Sequence, residues 1–193
     1  ECDTSPWVAK AFIESPGTHT MDQCVKEILI GSDPLDIDLL WEKIYVGTAM
    51  TGRRGAGVNA MSAVDMALWD IKGKRLNAPV WDLIGGKVRN KVRAIALGVS
   101  GDTPSECAEG AKKVMDQGFS ALKFTPMPNN WAELTYSRMI TLALEMVSAV
   151  RETVGWDFDI GIEIHRNMQP HEAIAFCKEV AYLKPYFIED PIV

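Results

Sequence analysis

From Lys91 onward the sequence alternates short apolar runs with amphipathic helical segments, and this alternation restricts the possible folds more than any other feature. KVRAIALGVS reads as a strand. Thr103-Pro-Ser-Glu106 then supplies an N-cap, a proline at the first helical position and a capping-box glutamate. Apolar Cys107, Ala108, Ala111, Val114 and Met115 follow at helical spacing, and Gly118 terminates the segment. ALKFTP (121–126) is a second strand, and Trp131 to Val154 is a helix with Ile140, Ala143, Leu144, Val147 and Val150 on one face. DIGIEIH (159–165) is a third strand, Pro170 to Tyr182 a third helix and YFIEDP (186–191) a fourth strand. Strands separated by helices imply a parallel sheet with right-handed crossovers.

Two architectures fit: a doubly wound open sheet, or the first half of a (β/α) barrel. No Gly-rich phosphate loop follows the first strand. The ionisable residues fall instead at the carboxyl ends of successive strands: Lys123 on the second, Glu163 and His165 on the third, Glu189 and Asp190 on the fourth. In a barrel those ends converge on one face.

Residues 1–58 read as a small α+β unit, with an apolar stretch from Trp7 to Ile13 and helices at Met21 to Ile30 and Leu35 to Tyr45. Tyr45 to Val58, rich in Gly and Thr and carrying Arg53 and Arg54, has the composition of a mobile loop. Residues 60–74 are helical in period but apolar on most faces (Met61, Val64, Ala67, Leu68, Ile71), which predicts a helix buried between two bodies of protein. The segment 59–90 would then connect the first unit to the barrel at 91–193.

Composition narrows the partners. The formal net charge is -6, and beyond Arg53-Arg54 and the Lys72/Lys74/Arg75 group there is no basic cluster, so nucleic acid is not the expected partner. Four cysteines without CxxC spacing indicate neither a zinc site nor a disulfide framework. No apolar run approaches the ~20 residues of a membrane span, and ECDTSPWVAK lacks the regions of a signal peptide, so a cytoplasmic protein without a membrane partner is expected. An acidic protein acting on an anionic substrate needs a local cation.

Glu163 and Glu189 stand one βα unit apart at the ends of neighbouring strands. Each alone could be an ion-paired residue at a strand end. Together, flanked by apolar residues, they would repel one another unless a cation lay between them, and oxygen ligands without thiols suit Mg2+. His165, two residues after Glu163, shares its face by strand alternation. There it could act as a general acid or base, or hold a neighbouring group by a hydrogen bond. Lys123 either lays its stem along the core or directs its ammonium at a substrate carboxylate. His171 reads as a solvated surface residue, and His19 carries no information.

The segment SAVDMALWDIKGKRLNAPVWDLIGG (62–86), a strand ending in LK, a strand ending in a carboxylate and FIEDP together resemble the enolase superfamily, in the mandelate racemase and muconate lactonizing branch. The resemblance spans nearly the whole chain. It implies an α+β capping domain on a (β/α)7β barrel, and abstraction of the proton α to a carboxylate to give an enediolate held by Mg2+. GIEIHRN, PHEA and FIEDP look most like the galactonate and gluconate dehydratases. On that resemblance Glu163 and Glu189 are metal ligands, and His165 is the acid that expels the 3-hydroxyl. Lys123 matches the first lysine of the family's K-x-K motif, whereas Thr125 replaces the second, which disfavours the racemases and cycloisomerases that use that lysine as base. Glu163 stands where aspartate is commoner, and its extra methylene could move the ion. ECDTSP and the 45–58 stretch match the two capping loops, which makes Trp7 and Arg53 or Arg54 candidate specificity residues.

The same resemblance requires a third carboxylate one strand on and a later His-Asp base pair. The sequence stops at Val193 and starts within a capping loop, so the expectation is a chain truncated at both ends and inactive by itself. The expected function is a Mg2+-dependent acid-sugar dehydratase giving a 2-keto-3-deoxy acid. The alternatives are a racemase or epimerase of the same superfamily and a noncatalytic homologue. Family members usually associate, so a homo-oligomer acting on a small acid sugar is expected.

Overall fold

The computed structural model describes residues 4–193; Glu1, Cys2 and Asp3, the start of the expected first capping loop, lie outside the described residues. The chain divides into two compact units, one ending at Asn90 and the other running from Lys91 to Val193.

The described part of the first unit consists of helices α1 (Pro6–Glu14), α2 (Val25–Leu29), α3 (Ile37–Gly47), α4 (Ala56–Leu76) and α5 (Val80–Leu83), with one isolated antiparallel bridge between His19 and Asp22. Val25, Ile44 and Met61 form one small core with Phe12 and Ile28 against it. Ile37, Leu40 and Leu68 form a second. α4 carries the expected apolar residues but buries one face only. Ala60, Met61 and Leu68 are buried, whereas Met66 and Ile71 are exposed, because α1 and α3 pack along a single side of it.

The Gly-rich stretch at 45–58, whose composition is that of a mobile loop, is helical at both ends, which belong to α3 and α4. Between them the Gly52 amide donates to the Thr48 carbonyl at 2.6 Å, and a Cβ added at Gly57 would meet the Gly52 Cα at 2.6 Å. The glycines there permit close backbone approach in a tight turn.

Asp65 on α4 offers a test of this packing. Burial raises its carboxyl above the ordinary value, and the charge of Asp38 on α3 adds to the effect. The folded chain therefore holds this proton more tightly than the unfolded chain. That stabilisation is complete below the ordinary carboxylate pKa of ~3.9 and is lost as pH rises through the folded value. Asp65→Asn should thus be more stable than the parent at pH 7, by less than about 1 kcal/mol given partial solvent screening. Urea titrations at pH 7 and pH 3 check this, with the advantage vanishing at the lower pH.

The second unit alternates as expected: β1 (Ala96–Val99), α6 (Pro104–Asp116), β2 (Ala121–Phe124), α7 (Tyr136–Val154), β3 (Asp159–Glu163), α8 (Pro170–Val180) and β4 (Phe187–Glu189). The reciprocal capping box of α6 forms: Thr103 Oγ1 accepts from the Glu106 amide at 3.3 Å, and Glu106 Oε2 accepts from the Thr103 amide at 3.1 Å. The expected helix at 131–154 splits into a 3-10 turn at Trp131–Glu133 and α7. Thr135 lies between them with extended backbone, and its hydroxyl starts α7 by accepting from the Arg138 amide.

The four strands pair in parallel in the order β1-β2-β3-β4. Outward-facing Ala96, Val99, Leu122, Phe124, Ile160 and Ile162 share a single core with Cys107 and Ala111 of α6, Val147 and Val150 of α7, and Phe176 of α8. All three helices therefore cover one face of the sheet. A doubly wound sheet has helices on both faces and a reversal of strand order. Sequential order with one-sided helices is the arc of a barrel wall. At β1 the register slips between Ala96 and Val99, and Gly98 takes φ +95°, so both residues reach the helix side although three positions separate them.

The inner face is close-packed at one point. Gly161 lies opposite Phe187, and a Cβ there would come within 2.6 Å of the ring. Gly161→Ala should cost about 1–2 kcal/mol, since the ring must move off its seat on β3. The urea midpoint of the variant reads this directly, and an unchanged midpoint would contradict it.

Candidate active site

The register places the site. Ile162 pairs with Ile188 and Glu163 with Glu189, so the two carboxylates leave the same face at the same depth. Lys123 on β2 pairs with Gly161, two residues before Glu163, and shares that inner face. Its ammonium bridges the carboxylates, donating to Glu163 Oε2 at 2.9 Å and Glu189 Oε2 at 2.7 Å. The strand ends thus bring an ammonium and two carboxylates together, at the place where the sequence led to the expectation of a divalent ion. Among the described residues no group of three or more His, Cys, Asp or Glu is clustered to form a metal cage.

The two carboxylates differ in environment. Glu163 is buried at 6% exposure, while the Glu189 side chain keeps 41%. Burial pushes the Glu163 carboxyl up, but Lys123 and the His165 backbone amide, which donates to Oε1 at 2.9 Å, outweigh it and hold the group below its ordinary value. Hydrogen bonds to Glu189 and Glu163 in turn hold the Lys123 ammonium above its ordinary range. The extra methylene of Glu163, compared with aspartate, lets one carboxylate reach both Lys123 and its own chain two residues on.

His165 reaches the site by a route other than strand alternation. β3 ends at Glu163, and His165 and Arg166 both turn left-handed, with φ 54° and 62°. This turn is fixed to the end of β4: the Arg166 amide donates to the Asp190 carbonyl at 2.6 Å, and the Arg166 guanidinium pairs with the Asp190 carboxylate at 3.3 Å. The exposed His165 ring is held from the residue just after β2, where Thr125 Oγ1 lies 3.2 Å from Nδ1. That contact was not anticipated, although a signal existed. Thr125 follows Lys123 by two residues and so projects toward the same face.

The remaining candidates lie in the first unit. Trp7 on α1 is 77% exposed. Arg53 lies over the Tyr45 ring at 4.7 Å, and Tyr45 stacks on Trp41 at 4.9 Å, so this guanidinium is engaged with aromatic faces rather than simply solvated. Arg54 is exposed.

Comparison with known proteins gives the family and the fold. The family described as Mandelate racemase / muconate lactonizing enzyme, N-terminal domain, matches residues 11–85, and the family described as Enolase C-terminal domain-like matches residues 106–193. The chain is 39% identical over 183 residues to the D-galactonate dehydratase of Cronobacter sakazakii, covering 91% of this chain and 46% of that protein. It is 38% identical over 165 residues to the D-gluconate dehydratase of Thermoproteus tenax, covering 84% and 33%. A crystal structure of a member of the enolase superfamily from Salmonella Typhimurium superposes with a TM-score of 0.84 at 29% identity, covering 97% of this chain and 51% of that one. The chain thus spans between a third and about half of the length of these relatives.

Proposed function

Because the chain belongs to the mandelate racemase and muconate lactonizing branch of the enolase superfamily, we propose that it is part of a Mg2+-dependent acid-sugar dehydratase. The reaction is that of a carbon–oxygen lyase, in which an aldonate or aldarate loses water to give a 2-keto-3-deoxy acid. The observation that supports this most directly is the convergence of Lys123, Glu163 and Glu189 at the strand ends with His165 beside them.

The residues fit the metal. Glu163 and Glu189 offer hard oxygen donors, their carboxylates already draw an ammonium between them, and Mg2+ characteristically takes few protein carboxylates and completes its shell with water and substrate oxygens. When bound, Mg2+ stabilises the negative charge that develops as the proton α to the substrate carboxylate departs. Lys123 has three donors, of which Glu163 and Glu189 engage two, leaving one for a substrate carboxylate. His165 gives the proton on its Nε2 to the 3-hydroxyl as the C3–O bond breaks, so that water leaves and the enol rearranges to the 2-keto acid. Thr125 has no basic nitrogen with which to replace the second lysine of a racemase. Trp7, Arg53 and Arg54 are the proposed specificity residues, and a cytoplasmic homo-oligomer is the proposed assembly. No helix among the described residues is long and apolar enough to cross a membrane.

The test is to incubate the complete gene product with Mg2+ and a panel of C5 and C6 aldonates and aldarates. Release of a 2-keto acid from at least one is expected. Silence across the panel would sink the reading, and exchange of the α-proton with deuterium without loss of water would establish a racemase instead.

A further inference from the structure

Thr125 is more than the absence of a lysine. The backbone of His165 is fixed by its own amide on Glu163 Oε1, by the Arg166 amide on the Asp190 carbonyl and by the Asn167 amide on the Ile164 carbonyl. None of these bonds fixes the imidazole, which sits outside the strand on a left-handed residue. Among the described residues, the hydroxyl of Thr125 at 3.2 Å from Nδ1 is the contact that orients it.

The geometry points to Thr125 as a positioning residue for the general acid, an inference that rests on the dehydratase reading of His165. A histidine's two ring nitrogens are distinguished by the hydrogen bond that one of them makes. With Nδ1 directed at Thr125, Nε2 is the nitrogen turned toward the substrate. In the protonated ring Nδ1–H donates to Thr125 Oγ1, and Nε2–H is the proton that leaves with the 3-hydroxyl as water. After transfer the neutral ring keeps Nδ1–H on the same hydroxyl, so the ring need not rotate during the step. Thr125 is well placed for this. It continues β2 beyond Phe124, whose partner is Ile162, so the hydroxyl stands level with the end of β3 where the turn begins.

The test compares Thr125→Val, which keeps the shape, with Thr125→Ser, which keeps the hydroxyl, in the complete gene product with Mg2+ and its best acid sugar. Valine should lower kcat about 10–100-fold with KM within about threefold, the size of effect typical of residues that orient an active group. Serine should restore kcat to within about threefold. A substrate whose 3-hydroxyl is replaced by fluorine needs less protonation to lose its leaving group, so the valine defect should shrink with it, which a merely structural role would not produce. Equal loss with valine and serine, or a defect of the same size on the fluoro substrate, would overturn the inference. Undiminished kcat in Thr125→Val alongside an inactive His165→Asn would overturn it while leaving the dehydratase reading intact. Undiminished activity in His165→Asn would remove that reading itself.

Discussion

Replacing His165 by asparagine in the complete gene product should lower kcat for dehydration about 10²–10⁴-fold, the range that a positioned general acid supplies. Asparagine is the informative substitution because His165 holds φ 54°, a left-handed conformation that asparagine tolerates better than most residues. The ring is exposed and, among the described residues, makes one side-chain hydrogen bond, to Thr125, so the thermal midpoint should stay nearly unchanged. The backbone amide that stabilises Glu163 also survives the substitution. KM should therefore move little, and the loss should fall on kcat. Steady-state kinetics beside a melting curve separates the possibilities: a comparable fall in stability would assign His165 a structural role.

Arg151→Met should cost about 3–5 kcal/mol of stability, by far the largest effect expected away from the site. The side chain is 4% exposed near the end of α7, and its guanidinium reaches four backbone carbonyls. Nη1 donates to Gly155 at 2.8 Å and Phe158 at 2.6 Å, Nε to Leu183 at 3.1 Å and Nη2 to Lys184 at 3.2 Å. These carbonyls lie just before β3 and β4, so one residue ties α7 to the entry of both strands that carry the candidate metal ligands. Burial alone lowers the Arg151 pKa and Asp159 partly offsets this, yet guanidinium stays charged throughout the usable pH range. Methionine preserves much of the packing volume and leaves the carbonyls without their donor. Lysine keeps the charge but cannot span the four acceptors with one planar fork, so Arg151→Lys should recover only part of the loss. Urea unfolding of the three proteins checks this, and a loss under about 1 kcal/mol in the methionine variant would refute the clamp.

Neither Arg151 nor Gly161 stood out in the sequence, and for the same reason. An arginine at the end of an amphipathic helix and a glycine in a short apolar run are ordinary locally. Their importance comes from residues distant in the chain, Leu183 for one and Phe187 for the other. The helix start at Thr103, by contrast, was readable because both halves of the capping box lie within four consecutive residues. The break before α7 depends on a single hydroxyl at Thr135, too weak a signal to interrupt a continuous apolar period.

The sequence by itself determined the local pattern, four strands and three helices in alternation, and placed Lys123, Glu163 and Glu189 at strand ends, because period and capping act between near neighbours. It also carried the motifs by which the family was recognised. Tertiary structure decided what depended on pairing. Sequential strand order and one shared helix layer selected a barrel wall over a doubly wound sheet. The register of β3 with β4 set two carboxylates side by side, and Lys123 reached both. A left-handed turn tied to Asp190, and not strand alternation, brought His165 to Thr125. Contacts across 40 or 66 residues form only once the sheet has fixed which positions meet.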